Sequence, residues 1–278
     1  MDFRFLLWPK PSGTGCFNKL MKKRLLGGTG IEVSPLGLGT VKFGRNQGVK
    51  YPSGFELPSD AEITAILELC RELGINLLDT APAYGLSEER IGKCLPGVRD
   101  SWVLCGKAGE DFENGQSHFD FSAAHVRRSL ERSLQRLRTE YLDILLIHSD
   151  GRDKEILADE VLWQTLQQAK KQGLIRAYGI STKTVEGSAL GLERTDVVML
   201  TYNPWTREEE PNLERAEKLG KGVLIKKALG SGWLGGQGLK HSPEECLQFC
   251  LKHSAVTSAV VGSINPANIR ANSLAWKD

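Results

Sequence analysis

The spacing of hydrophobic positions alternates between two regimes along this chain. From about residue 35, short and mostly apolar runs predict strands at Leu36–Leu38, Asn76–Asp79, Trp102–Cys105, Leu142–Ile147, Arg176–Ile180, Val197–Leu200, Val223–Ile225 and Ser258–Val261. Continuous apolar runs of this kind suit parallel strands covered on both faces. Between them, apolar residues recur at helical spacing. Ser59-x-x-Glu62 reads as a capping box opening a helix with Ile63, Ile66, Leu67, Cys70 and Leu73 on one face, and Gly74 stops it. Val126, Leu130, Leu134 and Leu137 form another stripe, and a further helix runs from about Asp159 to Gln172 and ends at Gly173. Ser242-Pro243-Glu244-Glu245 is a second capping box, with proline at the first helical position.

Eight strand candidates alternating with about eight helices predict βαβ units and a parallel sheet, either a closed (β/α)8 barrel or an open doubly wound sheet. Ahead of them, Arg24–Leu26 and Ile31–Val33 flank Gly27-Gly28-Thr29-Gly30, a hairpin placed to plug a barrel floor. No shift in composition divides residues 21–278, which read as one domain. Residues 1–20 lack periodicity and read as a disordered extension or a misplaced start.

Composition narrows the class. The chain has 278 residues, 40% hydrophobic and 25% charged, ordinary for a globular protein and far from the signature of disorder. Net charge is +2, and no basic stretch exceeds short clusters such as Lys22-Lys23-Arg24, so neither a nucleic-acid nor a membrane footprint is expected. The cysteines (Cys16, Cys70, Cys94, Cys105, Cys246 and Cys250) are scattered. Cys246 and Cys250 sit i, i+4 on a helix, but no second Cys/His pair faces them, so they read as thiols in a reducing, cytoplasmic compartment and no metal site is expected.

Polar residues close several of the apolar runs. Asp79, Lys107, His148 and Ser181 each follow one of the strands two to five. In a parallel β/α architecture all such ends face one side, where active sites are built. A structural salt-bridge network explains any one of these residues; four successive strand ends favour chemistry. Tyr84 lies five residues past Asp79 in a Pro-containing loop that can turn over the same rim. Reducing a carbonyl requires a hydride at carbon and a proton at oxygen. A phenol titrates near pH 10 and is a poor acid at neutrality unless a neighbouring ammonium stabilises its phenolate. The expectation is that Lys107 makes Tyr84 more acidic, Asp79 holds Lys107, and His148 hydrogen-bonds the substrate oxygen.

At these residues the chain resembles the aldo-keto reductase family, from about Arg24 to Asn272. Asp79-Thr80-Ala-x-x-Tyr84-Gly85-x-Ser87-Glu88 is similar to that family's most recognisable motif, and Gly106-Lys107, Ile147-His148 and Gly179-Ile180-Ser181 follow in its order and spacing. The resemblance implies an NADPH-dependent (NADH possible) reductase of aldehydes or ketones, with Tyr84 as proton donor tuned by Lys107 and Asp79, and His148 orienting the carbonyl. It also implies a cofactor site from Gly39, Thr40 and Val41 beside Asp79, with Ser181 and Thr182 at the carboxamide and Met199 where the family often has Gln. Leu229, Gly230 and Ser231 would cover the pyrophosphate, and Ser263, Asn265, Asn268 and Asn272 the adenosine phosphate.

Several positions depart from the family. Lys226 or Lys227 replaces an aromatic that commonly stacks on the nicotinamide, and Asn268 stands where an Arg often grips the 2′-phosphate, with Arg270 close by. Gly230-Ser231-Gly232-Trp233-Leu234-Gly235 spells G-x-G-x-x-G, but it comes too late in the chain to open a dinucleotide fold. Two other readings stand beside the reductase: a nucleotide-sensing regulatory subunit of the same fold with little turnover, and an unrelated barrel enzyme using His148 and Asp79. The substrate is a small carbonyl compound shaped by segments 42–58, 108–120, 150–158 and 203–211. Tyr51, Trp205 and Trp233 are candidate walls. Oligomeric state is not legible.

Overall fold

A computed structural model describes residues 21–232 and 241–276. The segment 1–20 lies outside the described residues, as do Trp233, Leu234 and Gly235 of the glycine-rich stretch. The chain opens with a short antiparallel hairpin, β1 (Arg24–Leu25) and β2 (Glu32–Val33). Next come β3 (Leu36–Gly39), α1 (Val41–Gly44), α2 (Asp60–Glu72), β4 (Leu77–Asp79), α3 (Ser87–Cys94) and β5 (Val103–Ala108). A second hairpin, β6 (Glu110–Glu113) and β7 (Gln116–Phe119), precedes α4 (Ala123–Leu137) and β8 (Leu142–His148). The remainder is α5 (Asp153–Ala158), α6 (Glu160–Lys171), β9 (Ile175–Ser181), α7 (Val185–Arg194), β10 (Val197–Thr201), α8 (Glu210–Leu219), β11 (Gly222–Lys226), α9 (Pro243–Lys252), β12 (Ser258–Val261) and α10 (Pro266–Leu274).

Eight strands close on themselves in the order β3-β4-β5-β8-β9-β10-β11-β12, all parallel, with β12 pairing back onto β3. The fold is therefore the (β/α)8 barrel, and the open doubly wound alternative is excluded. Each predicted strand is present. Six of them run further toward the polar rim than expected: β3, β5, β8, β9, β10 and β11, to Gly39, Ala108, His148, Ser181, Thr201 and Lys226.

The helix signals act as read. Ser59 and Ser242 each accept from the backbone N–H three residues on, and Glu62 and Glu245 reach back to complete both capping boxes. Two departures from simple alternation are α1 and α5, short helices inserted after β3 and β8. The larger departure is the segment 108–120, for which the hydrophobic pattern predicts no strand. It forms the β6–β7 hairpin around Asn114 and Gly115, both at positive φ, the dipeptide that a tight hairpin turn favours.

Two apolar clusters follow from the period-two register of the strands. Outward residues such as Leu78, Leu104, Leu145 and Ile180 pack beneath the helices. Inward residues Leu77, Val103, Ile144, Leu146, Val197, Met199 and Leu224 fill the barrel, and the opening hairpin adds Leu26, Ile31 and Val33 to the same cluster. All three hairpin residues are buried, each contributing about 1.5–3 kcal/mol. Gly27 sits at φ 53° against the start of β11, where a Cβ would lie 2.4 Å from the Gly222 nitrogen. Only glycine lets the turn close there. No helix among the described residues is long and apolar enough to cross a membrane.

Candidate active site

The inward-facing positions stay apolar until the C-terminal ends of the strands. Asp79 lies two residues past Leu77, Lys107 four past Val103, His148 four past Ile144 and Ser181 four past Ala177, so each shares the inward parity of its strand's core residues. Asp79 and Lys107 are almost fully buried, and the Lys107 Nζ donates to Asp79 Oδ1 and to the Thr80 carbonyl at 3.3 Å. The same Nζ is 5.1 Å from the centroid of the Tyr84 ring. Tyr84 meets His148 edge to face, with ring centroids 6.2 Å apart. Asp79, Tyr84 and His148 line one cleft of about 560 Å³ at the rim.

Local geometry explains how a loop residue is held there. Tyr84 ends a single 3₁₀ turn, Pro82–Tyr84, and Gly85 follows at φ 61°. A Cβ on Gly85 would be 2.3 Å from the Gly44 carbonyl oxygen, and one on Gly44 would be 2.1 Å from the Ser87 nitrogen. The turn is thus pressed against α1 at a contact that admits only bare backbone. Behind it, Ser87 Oγ donates to Thr40 Oγ1 at 2.9 Å and lies 3.2 Å from Thr80 Oγ1, while Thr40 Oγ1 donates to the Asp79 carbonyl at 2.9 Å. The Thr and Ser of the Asp79–Glu88 stretch are struts for the loop, and buried Glu88 anchors the next helix through Arg136.

Electrostatics depart from the expectation in one respect. Burial pushes the Tyr84 phenol above its ordinary value, and the opposing pull of Lys107 does not offset it. The ammonium acts in the direction foreseen but does not make the phenol net acidic. Burial alone would lower Lys107, yet Asp79, Tyr84 and Cys105 together raise it, so the ammonium stays charged. Burial also holds His148 below the usual imidazole range, against the opposing effect of Glu110.

The sequence reading leaves out Glu110 and takes Lys226 only as a replacement for a stacking aromatic. Glu110 opens β6, and its Oε2 lies 2.7 Å from His148 Nδ1, while Ser117 Oγ donates to its Oε1 at 2.7 Å. Burial would raise its carboxyl, but His148, Ser117 and Arg45 outweigh that and hold it at about 2. A carboxylate against Nδ1 keeps a proton on that nitrogen. Asn114-Gly115 was the sequence signal for the hairpin carrying Glu110. For Lys226 the signal was parity: it lies two residues past inward-facing Leu224.

Gly39, Thr40, Val41, Asp79, Leu229, Ser231, Ser263, Asn268 and Asn272 line the same cleft, with Tyr51. The other candidates are placed differently. Met199 is buried in the barrel interior. Asn265 caps α10 by accepting from the Ala267 nitrogen. Ser181 Oγ and the Thr182 carbonyl both accept from Lys226 Nζ, the former at 3.0 Å, and Thr182 Oγ1 lies 2.7 Å from Ser188 Oγ. Gly230 packs against Trp205, which stacks on His241. Cys246 and Cys250 are buried, and burial pushes their thiols up to about 11 and about 12.

An anionic dinucleotide fits these donors. Ser263 and Asn268 sit at the start of α10, where the positive end of the helix favours phosphate. Gly39 and Gly262 leave bare backbone on the floor, where a Cβ on Gly262 would come within 3.3 Å of Tyr51 Oη. Comparison with known proteins agrees with the architecture. Residues 35–245 match the aldo/keto reductase family. The solved structure of PA4992 from Pseudomonas aeruginosa, assigned to the aldo-keto reductases, is 48% identical with a TM-score of 0.83, covering 93% of this chain and 96% of that one. The holo form of aldo-keto reductase AKR11C1 from Bacillus halodurans is 28% identical with a TM-score of 0.78, covering 92% and 90%. L-galactose dehydrogenase of Arabidopsis thaliana is 30% identical, covering 90% of this chain and 86% of the relative. With the barrel, the rim cluster and these matches in agreement, the chain belongs to the aldo/keto reductase family of oxidoreductases.

Proposed function

We propose that this protein reduces aldehydes or ketones to alcohols with NADPH, NADH being the weaker alternative, and that Tyr84 is the proton donor. The observation that carries this reading is the convergence of Tyr84, the Lys107–Asp79 pair and His148 on one cleft also lined by Ser231, Ser263 and Asn268. The nicotinamide, when bound, supplies the hydride.

The chain's own residues do the rest. Tyr84 holds its proton through neutral pH, since burial keeps the phenol up, and gives it to the carbonyl oxygen as negative charge grows there. Lys107 stabilises the phenolate that remains. Asp79 keeps the Lys107 ammonium in place and neutralises it in a site too buried to leave it alone. Glu110 retains the Nδ1 proton of His148, so the ring donates to the carbonyl oxygen from Nε2 only when doubly protonated. Ser231 with Lys227 would face the pyrophosphate, and Ser263, Asn268 and Asn272 the adenosine phosphate. Free thiols among the described residues support a reducing, cytoplasmic setting.

The test is NADPH oxidation with a nitrobenzaldehyde by wild type and Tyr84→Phe. Loss of most turnover in the variant is expected; undiminished turnover would overturn the role of Tyr84. Tight cofactor binding with negligible turnover across a carbonyl panel would favour the regulatory reading, to which the raised phenol and the unusual Lys226 lend support.

A further inference from the structure

Lys226 is an ionisable group of the cleft that the reaction derived above leaves unused. It closes β11 with inward parity and lines the same cleft as Tyr84 and His148. Its Nζ is fixed on the wall by Ser181 Oγ and the Thr182 carbonyl, both at the end of the β9 strand. A carbonyl activated by Tyr84 must lie about 3–3.5 Å from the carbon that delivers hydride. The nicotinamide ring therefore has to share this small cleft with the Lys226 side chain. That ring is neutral when reduced and carries a positive charge when oxidised.

We propose that Lys226 sets the redox preference of the site: its ammonium, held on the cleft wall by Ser181 and Thr182, disfavours the oxidised cationic nicotinamide and leaves the neutral reduced ring unopposed. The inference rests on the reductase reading and deepens it, because it gives the site a direction. Like charges confined in a water-poor cleft repel far more than they do in solvent.

The groups facing Lys226 do not cancel its charge. Lys227 beside it, Lys107 on β5 and Lys183 after β9 are cationic, and His148 on β8 adds to them when protonated. Three carboxylates share its surroundings, each engaged elsewhere; Asp79 of β4, which lines the same cleft, is paired with Lys107. Asp153 of α5 accepts from Ser149 Oγ, the Lys183 and Thr184 nitrogens and Thr184 Oγ1. Glu209, just ahead of α8, accepts from Ser188 Oγ at 2.8 Å and Asn212 Nδ2 at 2.7 Å. Among the described residues, no carboxylate forms an ion pair with Lys226. Burial, Lys227 and Lys107 bring its ammonium down to about 7, against the pull of Asp153.

The sign of the pH dependence follows. Below about 7 Lys226 is charged and discrimination is strongest; above it the amine is neutral and discrimination relaxes. Near neutrality, binding the oxidised form expels a proton from Lys226. His148 acts in the same sense but only further into acid, since its pKa lies below the ordinary imidazole value. The 2′-phosphate titrates in both cofactor forms and cancels in their ratio.

The experiment is a binding titration, by calorimetry or fluorescence, of NADPH and NADP+ at about pH 6 and about pH 8.5, on either side of the Lys226 titration. The expected result is a Kd ratio, oxidised over reduced, about tenfold larger at the lower pH. Lys226→Met should give a ratio with little pH dependence, and Lys226→Arg, which keeps its charge, a high ratio at both. A wild-type ratio at about pH 6 that Lys226→Met leaves unchanged, the wild-type slope surviving in Lys226→Met, or a ratio in Lys226→Arg that falls with pH would each overturn the inference while leaving the reductase reading intact. Binding of neither cofactor form by wild type would instead overturn the reductase reading, and this inference with it.

Discussion

The two ends of the barrel are made by the same strands in one continuous register, yet their inward positions obey opposite rules. At the N-terminal end Leu77, Val103, Ile144 and Val197 point in and are sealed by Leu26, Ile31 and Val33 of the opening hairpin. At the C-terminal end the same parity delivers Asp79, Lys107, His148, Ser181 and Lys226. Apolar burial at the floor is favourable wherever the pieces fit. At the rim each charge has to be compensated singly: Lys107 by Asp79, His148 by Glu110, Lys226 by two neutral acceptors. Stability is concentrated at one end, and the other spends some of it to hold reactive groups out of water.

That contrast can be broken at either end. The largest effect is expected for Tyr84→Phe, which removes one hydroxyl: carbonyl reduction should fall by about 10²–10⁴-fold while the thermal midpoint stays put. Lys107→Met strips the Asp79 carboxylate of its partner and should cost about 3–5 kcal/mol in denaturant unfolding. Adding Asp79→Asn should return much of that stability without restoring turnover; a stable but inactive double variant would separate the two roles. Leu26→Ala, at the floor, should cost about 2–5 kcal/mol and leave kcat/KM of the folded protein unchanged. Gly85→Ala forces a side chain into φ 61° against the Gly44 carbonyl. About 1–3 kcal/mol of strain is expected, with a drop in kcat that exceeds any change in cofactor binding, because Tyr84 is displaced.

Glu110→Gln should have the smallest effect on stability and the most informative pH profile. The Glu110 carboxyl is held at about 2, below its unfolded value, so its stabilising contribution is complete above about 4.5 and disappears as pH falls through about 2. The difference in thermal midpoint between wild type and variant should shrink over that window. In the activity profile, the variant should shift the alkaline limb that reports His148, since a neutral amide no longer requires the proton on Nδ1. An unchanged limb would argue that Glu110 only braces the hairpin.

Much of this architecture is legible in the sequence. The strand runs, both capping boxes and the polar ends at Asp79, Lys107, His148 and Ser181 are local signals, written in spacing and end chemistry. Closure was not local: whether β12 pairs with β3 depends on the accumulated tilt of the strands, and the same alternation fits an open sheet. The β6–β7 hairpin is missed because its residues are mostly polar and none is fully buried, leaving Asn114-Gly115 as its signal. Glu110 was missed with it, and Lys226 was read as a lost aromatic instead of an inward-facing cation.

The sequence by itself determined which residues form strands and helices, and which positions on each strand share a face, because those depend on neighbours a few bonds away. Only the tertiary structure decided what the shared face encloses. Closing the ring gathers groups from β4, β5, β8, β9 and β11 at one rim, with Glu110 of the β6 hairpin against His148, and there desolvation and charge outweigh intrinsic preference. The balance at the Tyr84 phenol, where burial prevails over the adjacent ammonium, is a property of that enclosure and is carried by no residue alone.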